Sequence, residues 1–106
     1  MSDKEQKIQE LQFFEQNLQN ILYQKQAFEL ELSETQSAME ELKNSNGEVF
    51  KIVGQLMIKS SSQKIKEELD NKEKLILIRI KSLEKQEKEF NEKVSFLREE
   101  IINSKK

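Results

Sequence analysis

Apolar residues in the first part of this chain recur in steps of three and four. From Leu11 the series runs Leu11, Phe14, Leu18, Ile21, Lys25, Phe28, Leu32, Thr35, Met39, Leu42, and eight of these ten positions are apolar. A repeat of 3.5 residues is the seam of a coiled coil. A second series of equal length runs Leu69, Glu73, Ile76, Ile80, Leu83, Glu87, Phe90, Val94, Leu97, Ile101, again with eight apolar positions of ten. Ser2-Asp3-Lys4-Glu5 has the spacing of a capping box, and Asn44-Ser45-Asn46-Gly47 supplies residues that tolerate the left-handed conformation ending a helix. These signals predict a first helix over residues 3–43, about 60 Å long at ~1.5 Å per residue. Ser60-Ser61-Ser62 offers N-caps for a second helix over 61–103.

Between the helices both the period and the chemistry change. Val49-Phe50-Lys51-Ile52-Val53-Gly54-Gln55-Leu56-Met57-Ile58-Lys59 concentrates β-formers around a Gly-x pair, which predicts a β-hairpin over 48–59 with a tight two-residue turn. That turn pairs Val53 with Leu56, Ile52 with Met57, Lys51 with Ile58 and Phe50 with Lys59. Because strand side chains alternate, Val49, Lys51, Val53, Leu56 and Ile58 share one face and Phe50, Ile52, Met57 and Lys59 the other. Both faces are substantially apolar. A lone two-stranded hairpin is marginal in water and leaves two unpaired edges, so the expected remedy is assembly of hairpins from several chains into a larger sheet or barrel. The oligomer-interface residues expected on this reading are Val49, Phe50, Ile52, Val53, Leu56, Met57 and Ile58. A hairpin folded back on its own coil would leave much of that surface uncovered.

The reversal between two equal seams predicts antiparallel pairing, with Leu42 near Leu69, Leu11 near Ile101, and facing residue numbers summing to about 111. In that register the seam lysine Lys25 meets the seam glutamate Glu87, whereas a slip of one heptad strands both charges against apolar neighbours. The pair is expected to set the register, against a reading in which both side chains reach out to water. The fold class is thus mainly α: a long antiparallel coiled-coil hairpin with one β-hairpin between its helices, forming a single domain over 1–106.

Composition narrows the partners. Of 106 residues 36% are charged and 35% hydrophobic, with two glycines and no proline, which describes long solvated helices without a large private core. The formal charge of −2 comes from 20 acidic and 18 basic residues mixed along the chain, so no basic stripe exists to follow a nucleic-acid backbone. Cysteine is absent, which is compatible with a reducing compartment. No apolar run approaches the ~18 residues of a membrane span and no signal peptide is evident, so no membrane partner and a cytoplasmic location are expected. Catalysis has little foothold: histidine is absent, Ser60 to Ser62 have no histidine base, and no phosphate loop or metal-ligand cluster occurs. The expectation is a protein that is not an enzyme and uses neither metal nor other cofactor.

Glu48-Val49-Phe50-Lys51-Ile52-Val53-Gly54-Gln55-Leu56-Met57-Ile58-Lys59, followed by Glu67-Glu68-Leu69 and Lys81-Ser82-Leu83-Glu84-Lys85-Gln86-Glu87, resembles the beta-type subunits of the prefoldin family, the archaeal relatives of eukaryotic subunit 6. Glu34-Thr35 and Glu40-Glu41-Leu42 also sit where that family keeps similar residues, and Gln55 after the glycine favours the archaeal type. The resemblance spans nearly the whole chain. It implies a hexamer of two alpha-type and four beta-type subunits, whose hairpins form a double β-barrel body from which the coils hang. It further implies capture of unfolded proteins between the coils and their delivery to a group II chaperonin.

Residues near the chain termini supply a physical route to that function. Phe13 and Phe96 lie outside both seams at equivalent heptad positions, and Ile8 and Ile102 are off the seam nearby. Four large apolar groups exposed at a coil tip would suit unfolded polypeptide, because hydrophobic burial at ~25 cal/mol per Å² demands no particular sequence. With the adjoining seam residues, the expected client-binding set is Ile8, Leu11, Phe13, Phe14, Phe96, Leu97, Ile101 and Ile102. The bland alternative is that Phe13 and Phe96 pack on each other and seal the end. Leu75, Leu77 and Ile78 form another off-seam cluster, expected to pack on the barrel body or a neighbouring subunit, and Leu22, Tyr23 and Leu30 have no evident role. The rival functional class is a coiled-coil adaptor for one folded partner, which needs no oligomerising hairpin.

Overall fold

The computed structural model describes residues 2–45 and 48–104. In chain order they form α1 (Asp3–Lys43), β1 (Glu48–Val53), β2 (Leu56–Ser61) and α2 (Ser62–Asn103). The architecture is mainly helical, with a two-stranded antiparallel hairpin between two long helices.

Local chemistry accounts for each boundary. The Ser2 hydroxyl accepts from the Glu5 backbone N–H at 3.1 Å, which satisfies one of the orphan donors at the start of α1. At the other end, Asn44 N–H donates to Glu41 carbonyl and Ser45 N–H to Leu42 carbonyl, so the helix tightens to three-residue bonds as it stops. The remaining predicted stop residues, Asn46 and Gly47, lie outside the described residues. Pairing in the hairpin is Phe50 with Lys59, Lys51 with Ile58, Ile52 with Met57 and Val53 with Leu56. Gly54 has φ of 62° and no non-glycine residue among those described has positive φ, so the first turn position is left-handed and Gln55 is not. That combination identifies the Gly-first hairpin turn whose twist matches the strands.

The hairpin extends past its expected end at Lys59, because Val49 and Glu48 continue the ladder to Ser60 and Ser61. Helix α2 correspondingly starts at Ser62, one position after the expected start at Ser61. Ser61 serves both elements: its backbone closes the ladder and its hydroxyl accepts from Lys64 N–H at 3.2 Å, as an N-cap. Ser61→Ala is expected to lower stability by about 1 kcal/mol in denaturant titration, while Ser60→Ala leaves it nearly unchanged.

The chain divides into two compact units, Met1–Ala27 with Ile80–Lys106 and Phe28–Arg79. In the first, which holds both termini, Ile21, Ile80, Leu83, Val94 and Leu97 are buried, and Leu11, Phe14, Leu18, Phe90 and Ile101 are half-buried. Lys7 reaches Glu100 at 2.9 Å and Arg98 reaches Glu15 at 3.4 Å, which makes the two helical segments antiparallel neighbours. In the second unit, which holds the hairpin, Ile76 and Thr35 are buried and Phe28, Leu32, Met39, Leu42, Leu69 and Glu73 are half-buried. The Thr35 hydroxyl donates to the Glu31 carbonyl at 2.8 Å, which lets a polar residue occupy a seam position without an unmet hydrogen bond. Every position of both predicted seams is buried or half-buried.

Candidate functional site

Among the exposed apolar side chains of the described residues, two surfaces hold the residues expected to carry function. The first is the hairpin. Phe50, Ile52, Val53, Leu56, Met57 and Ile58 are exposed, Ile52 most of all at 71%, and of the seven expected interface residues Val49 alone is half-buried. Lys51, on the same strand face as Val49, is tied down by Glu68 of α2 at 3.0 Å, and Lys59 bonds Glu48 across the strands at 2.8 Å. A cleft of about 850 Å³ opens beside the sheet, with Leu42, Val49, Phe50, Ile52, Met57 and Leu69 among its lining. Contiguous apolar side chains on a strand pair with free edges are a surface that water solvates poorly.

The second surface belongs to the unit that holds the termini. Phe13 and Phe96 are each 61% exposed, and Ile102 is exposed as well. Ile8 differs from the expectation: it is half-buried, because it adjoins the line of half-buried positions, Lys4 and Lys7 among them, that extends the seam towards the N-terminus. The seam members expected to join this surface contribute unequally. Leu97 is buried and cannot present itself, since the seam that fixes its position also covers it, whereas Leu11, Phe14 and Ile101 keep a partly open edge. Phe13 meets Phe14 edge-on with centroids 5.6 Å apart, and Phe14 in turn lies 5.5 Å from Phe90. No ring pair joins Phe13 to Phe96 among the described residues.

Sequence reasoning missed how this surface is finished. Lys93 lays its ammonium over the rings of Phe14 and Phe90, at 5.1 and 5.6 Å from their centroids, an arrangement that gains cation–π attraction. A cleft of about 630 Å³ is lined by Phe14, Phe96 and Leu97 together with Lys93, Glu10, Glu89 and Glu92. Lys93 is four residues after Glu89 and three before Phe96, so the one-face spacing was present in the chain. Its reach across to Phe14 depends on the partner helix.

Lys25 Nζ and Glu87 Oε1 lie 3.3 Å apart, each side chain 23% exposed. Breaking one partner of a half-covered pair leaves the other beside apolar neighbours. Lys25→Glu is therefore expected to lower stability by about 2 kcal/mol, with Glu87→Lys restoring most of it in the double variant, as read from a double-mutant cycle. Unrecovered stability in the double variant would show that the pair does not set the register. Nearer the termini, the hydrogen bond that Lys7 donates to Glu100 raises the Lys7 pKa above its ordinary value, with partial desolvation opposing and the charges of Glu100, Asp3 and Glu10 adding. A raised lysine pKa means that this contribution is present below the unfolded-state value and is lost as pH climbs through the folded one, in strong alkali. Among the described residues no acidic, histidine or cysteine cluster could hold a metal ion, and no helix is long and apolar enough to cross a membrane.

Comparison with known proteins decides the family. The family model described as a prefoldin subunit matches residues 5–106. This chain belongs to the prefoldin family. Among curated prefoldins, the subunit beta of Thermococcus onnurineus is 40% identical over 94 residues, covering 87% of this chain and 81% of the relative. That of Thermococcus kodakarensis is 36% identical over 94 residues, covering 87% and 80%. The crystal structure of the prefoldin beta subunit from Thermococcus strain KS-1 superposes with a TM-score of 0.90 at 32% identity, covering 98% of this chain and 93% of that one. The beta-type prefoldin resemblance carried by the hairpin and its flanking coils therefore holds, and so does the single-hairpin fold.

Proposed function

We propose that this chain is the beta-type subunit of an ATP-independent holdase. It captures unfolded or nascent polypeptides on the surface around Phe13 and Phe96 and passes them to a group II chaperonin. In this reading four copies join two alpha-type subunits through their hairpins, in the cytoplasm. Membership of the prefoldin family, a family of chaperone subunits, supports the class of activity. The observation that carries the mechanism is the exposure of Phe13 and Phe96, together with the cleft that Phe96 lines with Phe14 and Leu97. A client side chain entering that cleft exchanges water for hydrocarbon, gaining roughly 2 kcal/mol per large residue. Such a contact is weak singly; several copies on one body raise the effective concentration and hold a client without requiring a fixed sequence.

The test is aggregation of several unrelated denatured proteins in the presence of the assembled complex and no nucleotide. Suppression of all of them at substoichiometric complex is the expected outcome. Selective binding of one folded protein, with no effect on aggregation, would put the adaptor reading in its place.

A further inference from the structure

Neither the hairpin nor the surface around Phe13 accounts for a third set of exposed apolar side chains. Leu30 on α1 is 62% exposed, and on α2 Leu75, Leu77 and Ile78 are exposed. All four belong to the unit Phe28–Arg79. Their surroundings carry opposite charge. Between Lys25 and Lys43, α1 holds Glu29, Glu31, Glu34, Glu40 and Glu41 and no cation, while α2 from Asn71 to Ser82 holds Lys72, Lys74, Arg79 and Lys81 against Glu73 alone. Part of this charge is used within the chain, since Lys72 reaches Glu31 at 3.6 Å and Gln36 bonds Glu73 at 3.2 Å. Glu29, Glu34, Lys74 and Arg79 are exposed and make no ion pair among the described residues.

Helical spacing places these groups together. Leu30 and Glu34 are four residues apart on one face of α1; Lys74 and Ile78, and Leu75 and Arg79, are four apart on α2. The bridges from Glu31 to Lys72 and from Gln36 to Glu73 hold the two patches at the same level of the unit. We infer that the acidic, apolar face of α1 around Leu30 docks against the basic, apolar face of α2 around Leu75 and Ile78 on a neighbouring copy of this chain. The contact rests on the multi-chain reading above, in which several copies share one body built from hairpins. It needs no axial shift, because both patches lie at one level. Apolar surface provides the attraction, and the opposed charges select α1 against α2 and disfavour either face meeting its like. Such a contact is heterologous and propagates from copy to copy unless the assembly closes it. A closed body built from hairpins supplies that limit.

The absence of cysteine makes the test direct. Copies bearing Leu30→Cys and copies bearing Ile78→Cys, co-expressed and purified as the native complex, are oxidised and resolved under denaturing conditions. A disulfide-linked pair containing one copy of each is expected, and neither variant by itself should link. Adding Glu29→Lys and Glu34→Lys to the Leu30→Cys copy should cut the yield about tenfold, and adding Lys74→Glu and Arg79→Glu to the other copy should restore it. An intact multi-chain complex without the mixed link would overturn this contact and leave the hairpin assembly standing. A single-chain native mass would overturn both.

Discussion

Ile52→Lys combined with Met57→Glu is expected to reduce the native mass to that of separate chains while leaving the hairpin and both helices formed. These residues face each other across the strands, and each is about seven-tenths exposed in the single chain, so the pair contributes little to the fold of one copy. Opposite charges placed directly across an antiparallel pair preserve the strand pairing. Between chains the consequence is reversed. Each substitution forfeits roughly 2 kcal/mol of apolar burial and asks a charge to enter the interface, so a loss of about 4 kcal/mol per copy weakens association some thousandfold. Size-exclusion or native mass measurement reads the result, and circular dichroism verifies the helices. An unchanged mass would remove the hairpin from the assembly and return weight to a monomeric adaptor.

Phe13→Ser with Phe96→Ser should instead leave mass and melting temperature unaltered and abolish most of the protection given to denatured clients. Both rings are mostly in water, which is why truncating them costs the fold little, in contrast to a buried seam residue such as Val94. If each ring contributes about 2 kcal/mol when covered by client, one site loses affinity by roughly three orders of magnitude in the double variant. Multivalency multiplies the loss across copies. The comparison is the amount of assembled complex needed to halve aggregation, which should rise at least tenfold by the same arithmetic. Unchanged protection by a well-assembled double variant would show that clients bind elsewhere, and a collapsed melting temperature would show that the rings are structural.

Much of this architecture was legible in one dimension. The alternating three- and four-residue steps marked the seams because a coiled coil buries a single stripe, and a stripe has a period. Gly54 marked the turn because its φ of 62° is one that a side-chain-bearing residue rarely adopts, and the turn in turn determined which residues pair across the strands. The exposed pair Phe13 and Phe96 stood out for the converse reason: large apolar residues off the stripe are left mostly in water.

Exposure at the margins of the stripe was not legible in the same way. Ile8 and Ile102 looked equivalent as off-seam residues, yet Ile8 is half-buried and Ile102 open, since cover depends on where the opposite helix passes. Lys93 could be placed on a helix face from its spacing, but the rings of Phe14 and Phe90 on which it rests come from two different helices.

By itself, then, the sequence determined what repeats or what a single residue's backbone preference controls: the helical seams, their caps, the turn and the strand pairing. Tertiary structure decided which side chains remain in water and which meet across helices: the burial of Leu97, the ring contacts of Lys93, and the common level of the oppositely charged faces at Leu30 and Ile78. The physical reason is that periodicity orients a residue on its own helix, whereas exposure and contact depend on the distance to atoms far away in the chain.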